Sequence, residues 1–318
     1  MKPRARTSIT PDCFPTPALI LRTNDPSLQR DVREFASTQA EVSRAVHRTL
    51  TDDLRGARTF DARAAALTAA FSAAEHWRYR IAAATRHSTG RYGASHTERF
   101  RTPITDDNPN LFRLGEPERY TDGAVWNPIT RTYSGGAETP ASRTMRRFAA
   151  LAAARFAEAP NVTSVSNRVT LSGGRVVEGT RLLRGRAARD AAIEMTARIA
   201  ARGGDTSRVI TDGDLIYVAS AVQSARVSIF RSALTQLAQH HATPTAALAA
   251  WVEAAYLLYQ APRRKRGSDA TIRTFLVAVG TCLMGHPPVL LHDIDLHAYV
   301  YQAEQFVGEL IAAQRVNL

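Results

Sequence analysis

The stretch EHWRYRIAAATRHSTGRYGASHTERFRTPI, residues 75–104, gathers Arg78, Arg80, Arg86, His87, Arg91, His96 and Glu98 around a glycine-containing segment. A carboxylate flanked by guanidinium groups stays ionised and can accept a proton. Where it is partly desolvated it can also return one. Glu98 is therefore a candidate acid/base, Arg78 or Arg80 a candidate partner for a substrate carboxylate, and His87 a proton relay or carbonyl-orienting group near neutral pH. Taken singly, each also fits a solvated ion pair or an ordinary loop histidine. Trp77, Tyr79, Tyr92, Phe100 and Trp126 can present a flat apolar wall to an aromatic substrate, or simply fill core space.

A second group lies in APRRKRGSDATIRTFLVAVG, residues 261–280, where Arg263, Arg264, Lys265 and Arg266 run into Gly-Ser. A nucleic-acid patch or targeting signal would sit in a tail or on a long exposed face. This run instead occupies a short junction between two apolar segments. The free N–H groups and positive dipole end of the helix that follows make an anion socket there, to which an arginine adds a bidentate contact. Arg266 is the candidate for that role, and plain surface charge remains the alternative reading for all four.

Other motifs are missing from the sequence. His292 and His297 are five apart and His240 and His241 adjacent, so neither pair has the spacing of a helical metal site, and no metal is expected. There is no GxSxG, no phosphate-binding Walker loop and no GxGxxG after a strand.

These groups need a scaffold, and 318 residues, 44% of them hydrophobic, suffice for a substantial core. The net charge of +12 is spread along the chain, and Lys2 and Lys265 are its only lysines. An arginine bias of this kind, with alanine tracts, fits a GC-rich bacterial coding sequence better than a polyanion-binding arm, so no nucleic-acid partner is expected. Cys13 and Cys282 form no disulfide framework, which suits a reducing cytoplasm. No segment has the apolar length of a membrane span. The N-terminus carries no apolar signal run, and Lys2 stands where N-myristoylation needs glycine.

Along the chain, the apolar run at 16–24 reads as a buried strand, with Asp25 capping and Pro26 opening a helix whose inward positions include Val32, Phe35, Val42, Val46 and Leu50. A second helix spans about 62–84. Residues 86–140 are rich in Gly, Pro, Asn and Asp and read as a long site-bearing loop. Helices follow at 143–158 and 187–202, with two strands between them joined at Ser172-Gly173-Gly174. GDLIYVAS, 213–220, suits either helix or strand. Thr243 and Ser268 cap two apolar helices, and Asp293 caps a single last one. The fold class expected is α+β, mainly helical: one two-lobed unit over 1–318, with a mixed lobe at about 86–220 and a helical body from about 25–85 and 221–318.

RGSDATIRTF after an aromatic-rich helix, HDIDLHAYV followed by EQFVGEL, and EHWRYR leading to Thr102-Pro103 together resemble the AvrB family of bacterial effectors, relatives of the Fic fold. That resemblance covers about 60–312. It implies a bilobal scaffold and a nucleotide cleft lined by Thr102, Arg266 and Asp293. The order Arg, His, Glu also looks like the actinomycete McbB-like Pictet–Spengler enzymes that form β-carbolines, which implies Glu98 as the catalytic acid/base with Arg78 and His87 supporting it. Arg80, Thr102, Arg266, Asp293 and Trp77 would then bind substrate.

Two functions follow as expectations. One is a cytoplasmic bacterial enzyme joining a tryptophan-like amine to an aldehyde without a cofactor, with homodimer formation compatible. The other is a nucleotide- or nucleotide-sugar-dependent transferase acting on a partner protein.

Overall fold

A computed structural model describes residues 8–14, 21–84 and 97–315. The fold is α+β and mainly helical. At its centre lies α7 (Ser268–Met284), in which every residue from Thr271 to Thr281 is buried. A helix with buried residues on every side must be covered all round, and this one carries Arg273 and three threonines inward along with its apolar residues. Around it pack α1 (Leu28–Gly56), α2 (Phe60–Ala84) and α6 (Pro244–Gln260), with α5 (Gln223–Ala238) against α2 and α6.

Two polar ties cross this bundle: the Trp251 indole N–H donates to the Leu276 carbonyl (2.9 Å), and the Ser43 hydroxyl to that of Thr274 (3.0 Å). Thr243 caps α6 as its sequence suggests, accepting from Ala246 N–H at 3.1 Å.

A four-stranded antiparallel sheet stands beside the bundle in the order β1 (Leu111–Leu114), β6 (Ile216–Ala219), β5 (Val176–Arg184), β4 (Ser164–Thr170). Strand alternation divides its side chains between two cores. Leu182 and Val218 join the large helical core, while Leu183, Tyr217 and Ala219 pack with Ala188, Ala191 and Ala192 of α4 (Gly185–Ala200).

The β4–β5 hairpin turns at Ser172-Gly173-Gly174 as expected, with Gly174 at φ +79°. α3 (Pro140–Ala157) precedes β4, capped by a reciprocal Thr139–Ser142 pair. The chain closes with α8 (Ile294–Val300) and α9 (Ala303–Arg315).

A buried amide seam joins sheet to bundle. Gln260 Oε1 accepts from the Thr180 N–H (2.9 Å) and hydroxyl (2.7 Å), and Asn167 Nδ2 donates to Thr180 Oγ1 and the Ala298 carbonyl, both at 3.0 Å. Gly179 is required here, because a Cβ would overlap the Gln260 amide.

Several local expectations need correction. The 86–140 segment is not one loop: among its described residues it holds β1 and the hairpin β2 (Val125–Asn127) and β3 (Thr132–Ser134). Asp25 does not cap α1. It turns back to Ser27 N–H (2.8 Å), and the helix starts at Leu28. Ser268 is the first residue of α7 and its hydroxyl returns to the Arg264 carbonyl; the cap position is Gly267. The last helix is two, broken after Val300. Of the strand read at 16–24, residues 16–20 lie outside the described residues, and Leu21–Thr23 form no strand. GDLIYVAS resolves as a strand, β6.

Candidate functional site

The basic run at 263–266 is taken apart by the fold, each side chain finding different surroundings. Arg263 lies over the Phe230 ring at 4.9 Å and approaches Glu75 at 3.6 Å. Arg264 grips the Glu75 carboxylate with both ends of its fork, each at 3.2 Å, and donates to the Arg101 carbonyl at 2.8 Å. Lys265 Nζ donates to the carbonyls of Pro109 (2.6 Å) and Asn108 (3.1 Å). Arg264, Lys265 and Arg266 all border one hollow.

That hollow, a cleft of about 300 Å³, opens between the start of α7, the β1–β6 edge of the sheet and α8. Arg99, Lys265 and Arg266 line it together with Gly267 and Ser268. Asp269 and Asp295 line it as well, and Leu111, Phe112, Val218 and Tyr299 supply apolar wall.

A two-strand clasp seats the basic run. Ile104 N–H donates to the Arg263 carbonyl (3.1 Å) and Lys265 N–H to that of Thr102 (3.0 Å), across a Pro103–Arg264 pairing. Gly267 makes the close approach possible. Its φ is +77°, and a Cβ would fall 2.7 Å from the Phe100 ring and 2.8 Å from Arg78 Cγ. Arg78 is stacked beneath this turn, its guanidinium 4.2 Å from the Phe100 centroid and 5.4 Å from that of Phe35.

The electrostatics are those of crowded, partly desolvated cations. Burial, with Arg266 nearby, pulls Arg78 down to about 10. Burial, then Arg266 and Arg202, do the same to Arg99. Lys265 is pushed down to about 7 by burial and by Arg198, Arg99 and Arg202, with only Glu194 opposing.

Burial and the neighbouring Asp269 raise Asp295 to about 7 against the pull of Arg273. Arg273 is itself buried. Its charge is nevertheless held by Asp269 (2.7 Å) and by the carbonyls of Leu291 and His292 (2.8 Å each). Tyr259 completes this floor, donating to Asp269 Oδ1 at 2.9 Å.

Of the residues singled out from sequence, Arg78, Thr102 and Arg266 converge at the clasp and the mouth of α7. Glu98 sits on the turn Thr97–Phe100 but outside the cleft lining, exposed and paired with Arg101 at 2.5 Å. Arg80 is exposed, and Trp77 stacks on Phe35 at 5.9 Å, away from the cleft. Asp293 faces the other way, toward His297 (3.1 Å) and Arg147 (3.4 Å). His87 lies outside the described residues.

Sequence reasoning did not single out Arg99, Lys265 by itself, Asp269, Asp295 or Tyr299. One signal was present: Asp295 and Tyr299 are one helical turn apart, as are Asp293 and His297, so HDIDLHAYV carries two polar faces, of which the Asp295 face lines the cleft. No protein-family model matches this chain, and no curated protein does.

Proposed function

We propose that the cleft is the active site of a small-molecule enzyme that condenses an aromatic amino-acid-like amine with an aldehyde. The observation that carries this reading is the meeting, around one cleft of about 300 Å³, of guanidinium groups (Arg99, Arg264, Arg266) with two carboxyl groups (Asp269, Asp295) and an apolar wall. A zwitterionic aromatic amine needs such a set: guanidinium for its carboxylate, carboxylate for its ammonium, and Leu111, Phe112 and Val218 for its ring.

In a Pictet–Spengler step the amine and aldehyde lose water to give an iminium ion. An indole carbon attacks it, and the ring proton then leaves to restore aromaticity. Asp295 is the group best matched to take that proton, because an acid/base works most efficiently with a pKa close to the ambient pH. The resemblance to β-carboline-forming enzymes assigns the step to Glu98; the geometry favours Asp295. Incubation with L-tryptophan and an aldehyde, followed by mass spectrometry of the product, separates the two. Asp295→Asn should lower turnover by at least about 100-fold, with Glu98→Gln close to the parent. Loss in Glu98→Gln alone would return the role to Glu98, and no product from the parent protein would refute the reading.

One observation favours a second function, a nucleotide-dependent transferase. The N-terminus of α7, with Gly267 and the guanidinium groups of Arg99 and Arg266 in the same cleft, would also hold a phosphate. Saturable binding of ATP or a nucleotide sugar with no response to tryptophan would select it.

A further inference from the structure

Lys265 has no carboxylate partner among the described residues. Its Nζ donates to two carbonyls, those of Pro109 and Asn108, and Pro109 O is shared with Arg198 Nη1 at 2.7 Å. Two acceptors are what a neutral amine can satisfy with its two N–H bonds, leaving one tetrahedral position for the lone pair. The residue lines the cleft, and Asp295 lines it too. The groups acting on Lys265 are Arg99 on the turn before the clasp, Arg198 and Glu194 on α4, and Arg202 just beyond it. Three of these four repel an ammonium ion, and burial disfavours it further.

Resting on the aldehyde-condensation reading, we infer that Lys265 is a nucleophile that captures the aldehyde as a covalent imine and hands it to the substrate amine. Its lone pair adds to the aldehyde carbon, forming the C–N bond. A proton from the acid form of Asp295 lets the carbonyl oxygen depart as water, leaving a protonated imine on Nζ. The substrate amine then adds to the same carbon. After a proton passes between the nitrogens, Lys265 leaves as free amine and the substrate iminium ion remains. No oxidant or reductant enters. The lysine raises the rate because the imine is a better electrophile than the aldehyde and is formed before the amine arrives.

The chain is suited to a direct test, because Lys265 shares it with only one other lysine, Lys2. The folded protein is incubated with benzaldehyde and sodium cyanoborohydride from about pH 6 to pH 9, and the adducts are located by peptide mass spectrometry. The expected result is a benzyl adduct on Lys265 forming at least about tenfold faster at neutral pH than on an ordinary lysine, with half-maximal rate close to neutrality. L-Tryptophan should discharge the imine when added before the reductant. Lys265→Arg, checked for an unchanged melting temperature, should lose this adduct and keep those on Lys2 and the terminal amine.

Labelling confined to Lys2 and the terminal amine, or labelling of Lys265 that rises only above about pH 9, overturns the inference. The two claims fail separately. Product formation without a Lys265 adduct leaves the condensation reading standing. A rapid Lys265 adduct without amine binding or product leaves the nucleophile standing and removes the reading.

Discussion

Lys265 and Asp295 face one cleft with their usual charges weakened, and burial is the leading cause for both. The consequences for stability have opposite signs. Asp295 has a folded pKa above its unfolded one, so folding favours its acid form. That contribution is complete below about pH 4 and is lost as the pH climbs toward about 7. Lys265 has a folded pKa below its unfolded one, so its contribution is complete above about pH 10 and is lost as the pH falls toward about 7. Asp295→Asn should therefore match the parent near pH 4 and exceed it in stability near pH 7, as read from urea midpoints. An unchanged difference across that window would contradict the assigned environment. Gly267→Ala meets both a left-handed backbone and the Phe100 ring, and should cost about 1–3 kcal/mol while displacing Arg78. Thermal unfolding and ligand titration of the same variant read both effects.

At the scale of elements, legibility followed the uniformity of the local signal. The α7 segment was readable because its apolar residues cover all sides, and the β4–β5 hairpin because β-branched runs flank a glycine pair. The short strands β1, β2 and β3 were not, since each has only three or four residues within turn-forming sequence and is defined by its partner. α5 has no side-chain hydrogen bond at its N-cap, and its buried face mixes Ile229, Leu234 and Leu237 with Arg226, Ser232 and small alanines, so its apolar periodicity is weak. Asp25 and Ser268 were sound cap residues by type, yet each hydroxyl or carboxylate found a nearer backbone partner.

The basic run was legible as a junction feature but not as a clasp. Its meaning depends on Glu75, which is far away in sequence and has a side chain only 10% exposed. Removing that carboxylate strands Arg264 and loosens Arg263. Glu75→Gln should therefore destabilise by about 1–3 kcal/mol, and should lower ligand affinity indirectly by freeing the 101–104 segment. Chemical denaturation beside ligand titration measures the two.

At the scale of the molecule, a four-stranded sheet and a helical bundle are fixed to each other through the Gln260 seam, and the cleft opens along the same boundary. Gln260→Leu would leave the Thr180 N–H without its acceptor, at about 2–3 kcal/mol, and would be seen as a lowered urea midpoint. The cleft is lined from the turn before the clasp, the sheet edge, the start of α7 and α8, and long-range assembly of this kind is not written in any one stretch of sequence. The account's central claim is that this cleft receives the carboxylate end of an aromatic amine. Calorimetric titration of L-tryptophan into the parent protein and into Arg266→Ala tests it most directly. Saturable one-to-one binding that weakens at least tenfold in the variant, about 1.4 kcal/mol, is the predicted result, and no heat from the parent, or equal affinity in both, would contradict it.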